Sequence, residues 1–179
     1  MNAGQRSCRL KKFVFGSLTA ILVVAMVAVG TVAYAGLGFA PVEADVKPGL
    51  LETAFMSSVV HASVRRRAPK AQNPQTPTDE TLISGGKIYL NDCVGCHGAP
   101  GKPSEFGVLF YPPAPQFFQM GTQFSESEIV WIGRHGIRRT GMYPQSYTDD
   151  KLWTLAAFII RAKNLSPSVL NGIQRQQSK

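Results

Sequence analysis

The sequence predicts an all-α protein: a domain of three to four helices, preceded by a single apolar N-terminal helix. Three observations lead there. Residues 13–40 carry no charge. Three later stretches, at 79–91, 125–136 and 148–163, repeat apolar residues at helical spacing behind capping residues. Nowhere do apolar and polar residues alternate as in a half-buried strand. The length, 179 residues, holds one folded domain with an extension. It excludes a large enzyme barrel or a two-domain dinucleotide enzyme of usual size.

The first element follows from its flanks. Arg6, Arg9, Lys11 and Lys12 make residues 1–12 a basic leader without an acidic residue. The apolar run 13–35 would reach about 34 Å as a helix, enough for a bilayer core of ~30 Å. Basic residues ahead of it place the leader in the cytoplasm and the rest outside. The expectation is a single-pass anchor in a bacterial inner membrane, with the C-terminal domain in the periplasm. Ala33-Tyr34-Ala35 ahead of Gly36 supports the alternative, a signal peptide cleaved near Ala35. Cys8, before the membrane segment, reads as an incidental thiol.

Residues 36–78 read as a tether. Leu50, Leu51, Ala54, Phe55, Val59, Val60 and Val64 recur roughly at helical spacing, and Arg65-Arg66-Arg67 follows. This predicts a short amphipathic helix over 48–64, resting on the membrane, on a partner or loosely on its own domain. Pro69 and the run Asn73-Pro74-Gln75-Thr76-Pro77 read as a spacer.

The domain itself is expected over 79–164, with a tail over 165–179. Thr78 is placed to cap the first helix, and Ser125-x-x-Glu128 is a capping box for the second. The third begins near Thr148-Asp149-Asp150. Between the first two lies an irregular stretch, 98–124, with five prolines and four glycines. The net charge of +8 suggests nucleic acid until it is divided by segment. Residues 79–164 hold eight basic and eight acidic side chains, so all the excess is in the flanks. A nucleic-acid partner therefore loses its basis.

The chemistry-bearing residues are Cys93-Val94-Gly95-Cys96-His97. Cys-x-x-Cys-His at a helix end is the attachment signature of c-type haem. Two thiols at this spacing reach the two vinyl groups on one porphyrin edge, and the following imidazole is held beneath the iron. A structural zinc site would need a second ligand pair at close spacing. A redox dithiol would need a strand-to-helix junction. Neither is present. The expected cofactor is one covalently attached haem c, and three cysteines are too few for a disulfide scaffold.

At these residues the sequence resembles the class I, mitochondrial-type cytochromes c, specifically the short membrane-anchored bacterial monohaem members. In that family a glycine and an aromatic precede the first haem cysteine by eight and four positions, where Gly85 and Tyr89 stand. Its last helix offers a Leu-x-x-aromatic pair to the same crossing, which Leu155 and Phe158 match. The resemblance implies a cytochrome c-like fold around the haem, with His97 as proximal iron ligand. It implies a distal methionine after the second helix: Met142, in Thr140-Gly141-Met142-Tyr143-Pro144, where the inserted Tyr143 departs from the commoner pattern. Met120 is the alternative; Met26 and Met56 are poorly placed.

The resemblance further implies that a proline-loop carbonyl orients His97. Pro113, within Pro112-Pro113-Ala114-Pro115, is assigned to cofactor binding on that basis. Arg138 and Arg139 could pair with the haem propionates or form a solvated basic face. His135 is expected to cap its helix or to contact a propionate. Trp131 and Trp153 are expected to wall the haem pocket.

Saturated iron leaves no open position for a substrate, and the core offers no Ser-His-Asp grouping, carboxylate pair or phosphate-cradling loop. The expected function is single-electron transfer between membrane-associated redox complexes, with no enzymatic activity and no small-molecule substrate. The alternatives are a tightly bound cytochrome subunit of a respiratory oxidase or dehydrogenase, and a five-coordinate haem sensor.

Overall fold

The structure, a computed structural model, describes residues 3–43 and 46–177, with side chains from 12 to 43 and 46 to 175. The side chains of Arg6, Cys8, Arg9 and Lys11, and the terminal Lys179, lie outside the described residues. The chain divides into two units, Met1–Val46 and Lys47–Lys179.

The first unit is one helix, α1 (Ala3–Gly36). Its segment Lys12–Gly36 has a mean hydropathy of 2.4 over its most apolar part and is long and apolar enough to cross a membrane. Two threonines fall within it. Thr19 Oγ1 donates to Phe15 O at 3.0 Å and Thr31 Oγ1 to Val27 O at 2.8 Å. Both are thus satisfied within the helix, as a hydrocarbon surrounding demands. Tyr34 stacks on Phe39 where the helix ends. The element fits a single-pass membrane anchor.

The second unit is all-α among the described residues, apart from one isolated bridge between Ala99 and Lys102. It begins with α2 (Leu50–Arg67). Then come α3 (Asp79–Asp92), the single turn α4 (Val94–His97), the short α5 (Phe117–Met120) and α6 (Glu126–His135). The chain ends with α7 (Asp149–Arg161) and α8 (Pro167–Gln177). The expected caps form: Thr78 Oγ1 accepts from Thr81 N, and the Ser125–Glu128 capping box is closed in both directions.

The core centres on α3 crossing α7. The approach is close because Gly85 has no side chain: a Cβ there would stand 2.5 Å from Thr154 O and 2.7 Å from Phe158 Cβ. Tyr89 and Phe158 are fully buried, with ring centroids 5.4 Å apart, and Leu155 joins the same cluster. Helix α6 packs on the other side of α7, where Arg161 donates to Glu126 at 2.7 Å.

Two segments fold more than the sequence suggests. Residues 165–179, expected as a tail, contain α8, which buries Val169 and Ile173. Ile173 fills the gap over Gly86, where a Cβ would stand 2.5 Å from its Cγ2. The Pro-rich spacer is strapped to α7, because Asn73 Nδ2 donates to Trp153 O at 3.1 Å and Gln75 Nε2 to Asp150 O at 3.0 Å. Helix α2 is divided. Its C-terminal end packs on the domain through buried Val64, while Leu50, Leu51 and Phe55 near its start are exposed.

Candidate functional site

The Cys-x-x-Cys-His segment is built as a helix end. Cys93 N donates to Tyr89 O, closing α3, and His97 N donates to Cys93 O at 2.9 Å, closing α4. The chain then turns at Gly98, whose φ of 76° is the left-handed region that suits glycine. Tyr89 clamps this turn from below, donating from its buried hydroxyl to His97 O at 2.9 Å and Gly98 O at 2.8 Å. Burial, with the Cys93 thiol nearby, pushes the Tyr89 hydroxyl far up, so it stays protonated and remains a donor.

A second clamp comes from the loop. The buried Gln116 donates through Nε2 to Cys96 O at 3.0 Å and Ala114 O at 2.8 Å. Its Oε1 accepts from Ser104 N at 2.7 Å. Ser104 Oγ in turn donates to Gly95 O at 2.5 Å and accepts from Gly107 N. Every polar atom of these two buried side chains is thereby used, and two of the bonds go to the motif's own carbonyls, Gly95 and Cys96. Neither residue was expected from the sequence, since a single Gln and Ser in an irregular loop carry no pattern.

His97 is fixed on both sides. Its Nδ1 donates to Pro115 O at 2.8 Å, and its ring stacks on Phe117 with centroids 4.6 Å apart. Pro115, rather than Pro113, therefore supplies the orienting carbonyl; Pro113 lines the outer cavity beside it. Burial lowers the His97 pKa below its ordinary value, and the Pro115 bond partly opposes this. This favours the neutral ring, in which Nδ1 donates to Pro115 O and Nε2 keeps a lone pair. The Cys93 and Cys96 thiols are free and half-buried, and burial, then Asp92 and Cys96, push the Cys93 thiol up to about 12.

Two cavities meet at this segment. The inner one, of about 450 Å³, lies among α2, α6, α7 and the 115–124 loop. The outer one lies on the Cys96 side, under 110–115 and 140–143. Cys93, His97 and Met142 line both. Met142 is half-buried, in a loop pinned by Ile137 N donating to Met142 O at 2.9 Å and Met142 N donating to Thr140 Oγ1 at 3.1 Å. Met120 lines only the inner cavity and is 71 % exposed.

Other expected residues lie elsewhere. Arg138 and Arg139 are exposed and line neither cavity. Trp131 and His135 of α6 and Trp153 of α7 line a separate cavity with Arg134 and Asp149, so they wall neither of the two cavities at the Cys-x-x-Cys-His segment. In their place the inner cavity takes Ser57 and His61 from α2. His61 is a residue that sequence reasoning passed over, its one signal being a histidine within an apolar stretch.

The site fits a covalent haem. It combines two free thiols, an oriented imidazole with Nε2 available and a half-buried thioether around two adjoining cavities, Cys96 lining only the outer one. The inner cavity alone is within the ~300–1,000 Å³ range of ligand pockets and its lining is mainly apolar. Among the described residues no three His, Cys, Asp or Glu gather as a bare metal cluster.

This is an all-α electron-transfer domain joined in one chain to an apolar helix. Residues 80–159 match the family described as "Cytochrome C oxidase, cbb3-type, subunit III". The chain is 30% identical to the Bacillus subtilis (strain 168) protein "Cytochrome c-551" over 106 residues, covering 58% of this chain and 85% of that protein. The chain belongs to the bacterial cytochrome c family, an assignment consistent with electron transfer rather than catalysis.

Proposed function

We propose that this chain carries one haem c and acts as the cytochrome subunit of a membrane-bound respiratory oxidase or dehydrogenase, on the periplasmic side. The observation that carries the haem assignment is the His97–Pro115 bond, with Met142 lining the same two cavities. Cys93 and Cys96 would hold the haem by adding their thiols across its two vinyl groups, sulfur to one carbon and hydrogen to the other. His97 would bind the iron through Nε2, and the Pro115 carbonyl, accepting from Nδ1, makes that nitrogen a stronger donor. Met142 would bind it through its thioether, and its half-buried position supports it over the exposed Met120. When bound, the haem supplies a one-electron ferric–ferrous couple. Thioether ligation and apolar surroundings raise its potential.

The match of residues 80–159 to an oxidase subunit supports a fixed place in a complex over free shuttling between partners. Helix α1 would hold the domain at the membrane. Substituting Met142→Ala tests the core of this reading. Expected are a change from a low-spin to a high-spin absorption spectrum and a fall in midpoint potential. An unchanged spectrum and potential would leave the iron five-coordinate or held by another residue, and the assignment would be lost.

A further inference from the structure

The polar groups that would meet the outer edge of a bound haem come from the helix that precedes the domain. We infer that His61 of α2 binds a haem propionate, an inference that rests on the haem assignment above. Three observations carry it. His61 and Ser57 stand four positions apart, one helical turn, and both line the inner cavity that His97 and Met142 also line. The His61 ring lies flat on Phe124, with centroids 4.6 Å apart and planes 16° from parallel. Stacking fixes the ring's face, and neither ring nitrogen has a hydrogen-bond partner among the described residues.

The covalent chemistry supplies the direction. Cys93 and Cys96 tie down the vinyl edge of the ring, and the two carboxylates hang from the opposite edge. The outer cavity, on the Cys96 side, excludes Ser57 and His61, whereas the inner cavity includes them with Thr122 and Gln123. No Arg or Lys lines the inner cavity. A buried carboxylate needs donors, and beside Gln123 and Gln145 the inner cavity offers His61, the one imidazole there that does not also serve the iron. Arg138 and Arg139, expected to do this, line neither cavity. The tether helix therefore supplies part of the haem site.

The test uses the full chain, matured with haem and purified in detergent, as the parent and as the variants His61→Phe and His61→Gln. Phe keeps a ring for Phe124 and loses the N–H; Gln keeps an N–H donor. Covalent haem is measured by the pyridine haemochrome, potential by redox titration, and the carboxylates by redox-difference infrared with haem labelled at the propionates. A donor on a propionate weakens the negative charge that favours ferric iron. His61→Phe is expected to lower the potential and shift the propionate band, with both largely restored in His61→Gln.

If His61→Phe carries haem and matches the parent in both readouts, the inference falls while the haem assignment stands. If both variants shift alike, His61 acts by packing and the N–H role is overturned. If the parent carries no covalent haem, the haem assignment itself fails and this inference with it.

Discussion

Tyr89 couples core and site in one side chain. Its ring packs in the crossing of α3 and α7, and its hydroxyl holds the carbonyls of His97 and Gly98. Tyr89→Phe keeps the ring contacts and leaves two buried carbonyls short of a donor. The expected cost is about 1–3 kcal/mol. For a domain of this size that lowers the thermal midpoint by roughly 3–10 °C. The check is thermal unfolding of the haem-loaded protein, and an unmoved midpoint would mean that the two carbonyls find other donors. Tyr89 was legible in the sequence because it stands at a fixed offset from Cys93. His97 stands in the same short motif, where local spacing implies local geometry, whereas Met142 was expected from its Thr140-Gly141-Met142 loop and the resemblance. Gln116, Ser104 and His61 were not. Gln116 and Ser104 bond to Cys96 and Gly95 from 20 and 9 positions away, His61 shares a cavity with His97 from 36 positions away, and only the folded chain brings them in. The choice between Pro113 and Pro115 was equally hidden, since it depends on which carbonyl of a four-residue loop points at one ring nitrogen.

At the scale of elements, α3, α6 and α7 were readable because each has a capping residue at its start and an apolar stripe long enough to show its period. Helix α8 has a cap, Ser166 Oγ accepting from Val169 N at 3.4 Å, but no such stripe. Its buried apolar side chains are Val169 and Ile173, a single turn apart in a segment rich in Ser, Asn and Gln, and the gap over Gly86 that Ile173 fills belongs to another helix. The consequence is measurable. Ile173→Ala is expected to destabilise the domain by about 2–5 kcal/mol, the cost of emptying a packed site. Leu51→Ala, at a position 88 % exposed on α2, is expected to change it by less than about 0.5 kcal/mol. Denaturant unfolding of the two variants compares them directly. Equal effects would mean that α8 only lies on the surface. The same contrast separates the two ends of α2: its C-terminal end contributes Val64 to the packed unit, and its beginning contributes nothing buried.

For the whole molecule, charge bears on how the protein meets its partner. The chain carries +8, yet residues 79–164 hold equal numbers of basic and acidic side chains. A cytochrome that shuttles between separate complexes gains from a one-signed surface, which steers encounter and makes its rate fall with salt. The folded unit 47–179 as a whole carries fifteen basic and nine acidic side chains, so a steering field is available to it and salt dependence decides between the two readings. A subunit in permanent contact needs none, because packing holds it and a Debye length of about 10 Å at 0.1 M salt already screens exposed charges. The subunit reading therefore predicts that the chain, extracted from its own membranes in mild detergent, migrates with an oxidase or dehydrogenase at high mass. It further predicts that raising the salt to about 0.5 M, where screening lengths fall well below 10 Å, leaves that association intact. Native electrophoresis with haem staining, at low and high salt, reads both outcomes. Migration as a single small haem protein that still delivers electrons, at a rate falling steeply with salt, would instead establish a tethered carrier.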